Sequence, residues 1–224
     1  MVDASVTSCA FVRIFRTVTF NSMMFRSFSA GAFFCAAIAI SAQRPTATLV
    51  SPGLVRLDLD GFHVFGDEPT SADLATIGVD DVVLFASEPA TPPPGGRTFM
   101  PSMEGELLER RTERLGEKTA IYVHPVSAPI GEVPHYSYLV QWNGRRIFFS
   151  GATTDIKDLL AATDLDLVFV SPAIVAEGKK AGKEIGARTV VIYRSPERIE
   201  DIDVPCYRCR VIQPATGETI QLFR

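Results

Sequence analysis

The run HYSYLVQWNGRRIFFSG, residues 135–151, constrains the fold of this chain more than any other stretch. Two segments rich in aromatic and branched residues flank Asn143-Gly144, a dipeptide that tolerates the positive φ angles of a tight hairpin turn. After it the rhythm changes. TTDIKDLLAATD reads as a helix, LDLVFVSP as a strand, AIVAEGKKAGKEIG as a helix and ARTVVIYRSP as a strand. Strands that alternate with helices in this way demand a sheet with helices packed on its outer face.

The first half is richer in β signals. LVRLDLD alternates apolar and polar residues, and GFHVFGD reads as the strand returning from it. TSADLATIG predicts a short helix capped by Thr70 or Ser71 and stopped by Gly78, and DDVVLFA an unbroken buried strand. SMEGELLERRTERLG predicts a surface helix whose ERRTER stretch is a solvated face with i,i+4 charge pairs. KTAIYVHPV is a strand, and the tail YRCRVIQPATGETIQLF predicts a closing hairpin around Gly217. A layered α/β domain accommodates all of these elements. Trp142, beside the tight turn, is either an exposed contact or a cover for the sheet edge.

The N-terminal residues differ from the rest. MFRSFSAGAFFCAAIAISAQ, residues 24–43, has a basic start, an uncharged apolar run from Ala30 to Ile40 and a small-residue exit at Ser41-Ala42. That layout predicts a signal peptide over residues 1–42, with Met23 or Met24 as the true start. The alternative is a disordered or buried N-terminal helix. The apolar run is shorter than the roughly 20 residues of a spanning helix, so no stable membrane span is expected in the mature form. Phe34 before Cys35 argues against a lipid anchor. QRPTATLVSPG then reads as a linker, placed at 43–52, and one domain is expected over 53–224. The expected location is periplasmic or extracellular.

Charge narrows the partners. The formal net charge is −4 and no long basic run occurs, which excludes nucleic acid as an expected partner. Without the leader, the remaining cysteines are Cys206 and Cys209 in PCYRC. One such pair cannot complete a zinc site. In an oxidising compartment the two can close a small disulfide, for which the strand-like segment would need a turn. Free structural thiols are the alternative.

The order of elements resembles the metallo-β-lactamase-fold hydrolases, particularly the lactonase-like branch of that superfamily. YSYLVQWNGRRIFFSGATTD is similar to the family's hairpin that runs into a Gly-Asp-Thr metal motif. LLAATDLDLVFVSP resembles the helix and strand that follow, EIGARTVVIYRSP the later strand that delivers a histidine, and VIQPATGETIQLF the terminal segment. The resemblance implies a four-layer αββα sandwich. It also implies a loop of alternating histidines with an Asp-His pair, which in the family binds zinc and activates water.

That loop falls on ASEPATP, residues 86–92, just after DDVVLFA. Ser87 and Pro89 stand where the resemblance puts the first two histidines, and Thr91 and Pro92 where it puts the aspartate and third histidine. Ala152 stands for the bridging aspartate, residues 126–129 hold no histidine, and the late strand offers Tyr193 and Arg194. No zinc cofactor is therefore expected, since proline and alanine cannot ligate and hydroxyls are poor donors. His63, His124 and His135 show no i+2 or i+4 pairing.

Other chemistry is thin. No Gly-x-Ser-x-Gly elbow or phosphate loop occurs. Ser87 with His135 is conceivable as a nucleophile and base, and Glu88 with Asp155 as paired carboxylates; Thr153, Thr154 and Asp155 also read simply as a helix N-terminus. Glu88, His135, Thr153, Asp155 and Arg194 are the expected pocket residues. Three readings stand: a non-catalytic protein that binds a small molecule or a protein partner, a hydrolase of lactone, ester or phosphodiester bonds with a remodelled site, and an envelope scaffold.

Overall fold

The computed structural model describes residues 44–59, 62–67, 69–70, 73, 75–87, 97–100, 112–115, 119–125, 135–151, 153–195 and 203–223. Its described strands are β1 (Thr46–Ser51), β2 (Leu54–Leu59), β3 (Phe62–Asp67), β4 (Val82–Phe85), β5 (Arg97–Phe99), β6 (Thr112–Arg114), β7 (Thr119–Pro125), β8 (Tyr136–Trp142), β9 (Arg145–Phe149), β10 (Leu165–Val170), β11 (Ala187–Ile192), β12 (Arg210–Ile212) and β13 (Thr219–Gln221). Two helices are described, α1 (Ile156–Leu160) and α2 (Pro172–Ala181).

The strands form two mixed sheets. One has six strands in the order β13-β1-β2-β3-β4-β5, the other seven in the order β12-β11-β10-β9-β8-β7-β6. Side-chain alternation places the core between them. Val55, Leu57 and Leu59 of the first sheet meet Ile147, Phe149, Leu167 and Phe169 of the second. On β10 the intervening Val168 and Val170 point the other way, against Ile156, Leu159, Ile174 and Val175 of the helices. Burial on both faces explains why Leu167–Val170 is an unbroken apolar run. Leu54, Phe65, Ile77, Val83 and Phe85 form a smaller cluster on the outer face of the six-stranded sheet.

Local chemistry sets the ends of these elements. Asn143 (φ 47) and Gly144 (φ 75) make the expected turn between β8 and β9. Asp155 caps α1 by accepting from the Lys157 N–H, and Ser171 caps α2 by accepting from Ile174. Gly182, at φ 61, stops α2 well before Gly186. Of the helix expected over 70–78, Asp73 is helical; its carboxylate accepts from the Thr70 N–H and hydroxyl at 2.8 and 2.6 Å.

Three expectations need correction. The stretch read as linker at 43–52 contains β1, with Ala47 and Leu49 buried, so the sandwich begins earlier than residue 53. Its small polar residues hid a regular alternation. Within the expected helix SMEGELLERRTERLG, residues 112–114 are instead an edge strand, paired with Ala120–Tyr122 of β7. The open row of backbone donors and acceptors along β7 outweighs the helix propensity of a charged stretch; residues 101–111 lie outside the described residues. The tail is not a hairpin either. Strand β12 joins β11 in parallel, while β13 crosses to the other sheet and pairs with β1. Gly217, at φ 83, turns between them, and its N–H donates to the Leu49 carbonyl at 2.7 Å.

Cys206 and Cys209 form a disulfide, with Cα atoms 5.8 Å apart. The turn that this spacing requires comes at residues 207–208, where Arg208 takes φ 54, and regular strand starts only at Arg210.

Gly66 on β3 supplies a test of the packing. A Cβ there would lie 2.5 Å from the ring of Phe149, which is buried and stacked on Phe169 with centroids 4.8 Å apart. Gly66→Ala is expected to lower stability by about 1–3 kcal/mol through overpacking. Urea unfolding checks it: the midpoint falls and the slope stays unchanged.

Candidate functional site

The ends of β3, β4, β9, β10 and β11, together with the start of β8, meet at one end of the sandwich. The sheets are stitched there by hydrogen bonds that cross between them. The Tyr136 N–H donates to the Ala86 carbonyl at 2.8 Å, and the Tyr138 hydroxyl lies 2.6 Å from the Phe85 carbonyl and 3.1 Å from that of Phe99. Gly151, at φ 64, lets the strands approach: a Cβ on it would stand 2.5 Å from the Tyr136 carbonyl oxygen. The Ser137 hydroxyl donates to the Ser150 carbonyl at 2.9 Å.

At the centre is Asp67, the last residue of β3, whose side chain has no exposed surface. Its Oδ2 accepts from the Tyr193 hydroxyl at 2.5 Å and from the Arg194 Nε, and its Oδ1 accepts from Arg194 Nη2 at 2.9 Å. Both members of this bidentate pair have left-handed backbone, Asp67 at φ 98 and Arg194 at φ 59. Such angles cost on the order of 1–3 kcal/mol per residue and persist where surrounding contacts enforce them. Burial holds the Tyr193 phenol well above its ordinary pKa of 10.0; the charge of Asp67 adds to this, while Arg194 and a hydrogen bond with Ser150 oppose it. Tyr138 is raised as well, by burial first and then by Tyr136 and Asp67.

Several expected site residues can be placed. Arg194 belongs to this centre through Asp67. His135 is buried just before β8, and its Nδ1 has no hydrogen-bond partner among the described residues. Ser87 follows β4 and is half-buried. The Ala86–Tyr136 hydrogen bond brings the Cα atoms of Ser87 and His135 within about 8 Å by backbone geometry. Thr153 and Asp155 serve the start of α1: the Thr153 hydroxyl donates to Asp158 at 2.7 Å and accepts from the Asp155 N–H at 3.1 Å. Glu88, Pro89, Thr91, Pro92 and Ala152 lie outside the described residues.

Sequence reasoning missed Asp67. The available signal was an acid closing the buried stretch VFG, where a polar side chain needs a partner. The lack of i+2 or i+4 pairing among the histidines likewise hides a placement that comes from strand register. His124 pairs with Ser137 in the β7–β8 ladder, which brings it to the same end as His135. His63 begins at the other end of β3, its Nδ1 2.6 Å from Asp58.

Solved structures share this architecture. A protein from Parabacteroides distasonis assigned as a metal-dependent hydrolase superposes with a TM-score of 0.56 at 17% identity, over 75% of this chain and 91% of its own. A metallo-β-lactamase-fold protein from Bacillus subtilis gives 0.54 at 8% identity, over 79% and 99%. This chain has the metallo-β-lactamase fold. A metallo hydrolase from Ignicoccus hospitalis agrees, with a TM-score of 0.52 at 10% identity over 79% and 97%. No protein-family model and no curated protein matches the sequence. In this metallo-β-lactamase fold, the described residues include no group of three or more His, Cys, Asp or Glu side chains placed to hold a metal ion. No described helix is long and apolar enough to cross a membrane.

The Asp67 centre yields two expectations. Arg194→Ala leaves a buried carboxylate uncompensated and is expected to cost about 3–5 kcal/mol in a denaturant titration. The raised Tyr193 pKa sets an alkaline limit. Below pH 10 its phenol is neutral in both folded and unfolded chains; above it the unfolded chain releases a proton that the fold retains, so stability falls as pH rises. Tyr193→Phe is expected to lose about 1–3 kcal/mol at neutral pH and to show a shallower decline above pH 10 in the same titration.

Proposed function

We propose that this chain is an exported, non-catalytic member of the metallo-β-lactamase fold, which has lost the zinc ligands of its hydrolase relatives and binds a small molecule or a protein partner. The observation that carries the reading is the engagement of Asp67. The one fully buried carboxylate described at the site end is held by the Arg194 fork and the Tyr193 hydroxyl. A cation at that carboxylate would meet the fixed positive charge of a guanidinium, which titrates only far above neutral pH. Of the other described residues there, Ser87, Ser150, Thr153 and Tyr193 offer hydroxyls, which are poor zinc donors beside imidazole and carboxylate, and His135 adds a single buried imidazole, short of the three or more protein ligands that a zinc site needs. This donor set does not fit zinc. The sequence adds Pro89, Pro92 and Ala152 at the positions that the resemblance assigns to ligands. Export is supported by the leader-like segment at residues 24–43 and by the Cys206–Cys209 disulfide, a bond that persists in oxidising compartments.

A second reading has an observation of its own. His135 is buried with an unpartnered Nδ1 and lies close to Ser87 along the backbone, so one imidazole and one hydroxyl are available at the same end for a base–nucleophile pair. On that reading the protein is a hydrolase with a remodelled, metal-free centre.

One set of measurements separates the two. Calorimetric titration with zinc and manganese, alongside hydrolysis assays on ester, lactone and phosphodiester substrates, is expected to show neither tight stoichiometric metal binding nor turnover. Turnover abolished by both Ser87→Ala and His135→Ala, with metal binding absent, would establish the second reading. Stoichiometric metal binding with turnover would defeat both.

A further inference from the structure

An open cavity lies at the other end of the seven-stranded sheet. Its volume is about 900 Å³, and it lies among the β8–β9 turn, the end of α1 and the starts of β10 and β11. Because β10 has six residues, this cavity is about 20 Å from the Asp67 centre. The volume falls in the range of small-molecule pockets.

Its polar groups are arranged for an anion. Asp166, whose side chain is 11% exposed, accepts on Oδ1 from Arg145 Nη1 at 2.8 Å and lies 3.4 Å from Arg188 Nη1. Its Oδ2 accepts from the Arg146 backbone N–H at 3.0 Å. Two guanidinium groups thus share one carboxylate charge and leave a local positive excess beside Asp166, within a lining whose three arginines (Arg145, Arg146, Arg188) balance three acids (Asp164, Asp166, Glu184) overall. Arg145 is further fixed over the Phe223 ring, 5.3 Å from its centroid. Each fork has further N–H donors beyond those that Asp166 engages.

The rest of the wall is apolar or aromatic. Leu160 is 37% exposed, and Tyr207 is 68% exposed on the loop closed by the Cys206–Cys209 disulfide. Both line the cavity. A rigid exposed aromatic beside exposed aliphatic surface contributes binding at low ordering cost. Exposed Asp164 and Glu184 also line the cavity and disfavour a highly charged ligand.

We infer that this cavity binds an amphipathic organic monoanion, an aromatic or aliphatic acid whose head bridges Arg145 and Arg188 while its body covers Leu160 and Tyr207. The inference is independent of whether the opposite end is catalytic. The test is a fluorescence titration of the full chain with 1-anilinonaphthalene-8-sulfonate, an amphipathic monoanion. Saturable binding at one site is expected. Arg188→Gln and Leu160→Asp, both at exposed positions, should each weaken it about tenfold or more, as loss of a charged hydrogen bond implies. Arg56→Gln, which removes a cation on the other sheet, should leave it unchanged. Naphthalene-2-carboxylate should displace the probe at lower concentration than the dianionic naphthyl phosphate. No saturable binding, equal affinity in Arg188→Gln and the unaltered protein, or preference for the phosphate would overturn the assignment.

Discussion

The pairing of Asp67 with Arg194 and Tyr193 governs the geometry of the site end. A carboxylate with no exposed surface is tolerable only when its charge and lone pairs are met. Here they are met from across the sandwich: Asp67 ends β3 in one sheet, and its partners follow β11 in the other. The phenol of Tyr193 continues into a column of aromatic rings, edge-on to Phe169, which stacks on Phe149. Phe149 in turn packs where Gly66, the neighbour of Asp67, leaves room. Charge, hydroxyl and rings therefore close a circuit through both sheets, and left-handed backbone at Asp67 and Arg194 is the local cost of closing it.

Much of the fold was legible because the dominant signals are local. Asn143-Gly144 specifies its turn by backbone preference alone, and the apolar runs of β4 and β10 mark strands buried on both faces. The errors fall where a distant partner decides. Thr46–Ser51 becomes a strand because β2 and β13 flank it, and Thr112–Arg114 because β7 has an open edge. The tail reads as two strands with a glycine turn, but a turn residue does not reveal that its strands join different sheets.

The site was legible only in part, for the same reason. Thr153 and Asp155 were recognisable as helix-start residues from their neighbours. Asp67 and Arg194 are 127 residues apart, and no spacing rule connects them. His124 and His135 share an end of the sheet through ladder register, information that exists only once β7 and β8 are paired. The two ends of the seven-stranded sheet also differ in character. One carries the hydrogen bonds that stitch the two sheets around Asp67; the other is an open cavity with exposed arginines and apolar surface.

The crossing of the tail has a bearing on how the chain acquires its structure. Thr48 and Thr219 share a hydrogen bond across 171 residues, so β1 has one edge uncovered until β13 arrives. Closing so large a loop is entropically expensive and is repaid only when the intervening strands are in place. Assembly of the six-stranded sheet thus waits for residues made long after β1, and a nascent chain stalled before them exposes the backbone of β1 as a site for aberrant pairing.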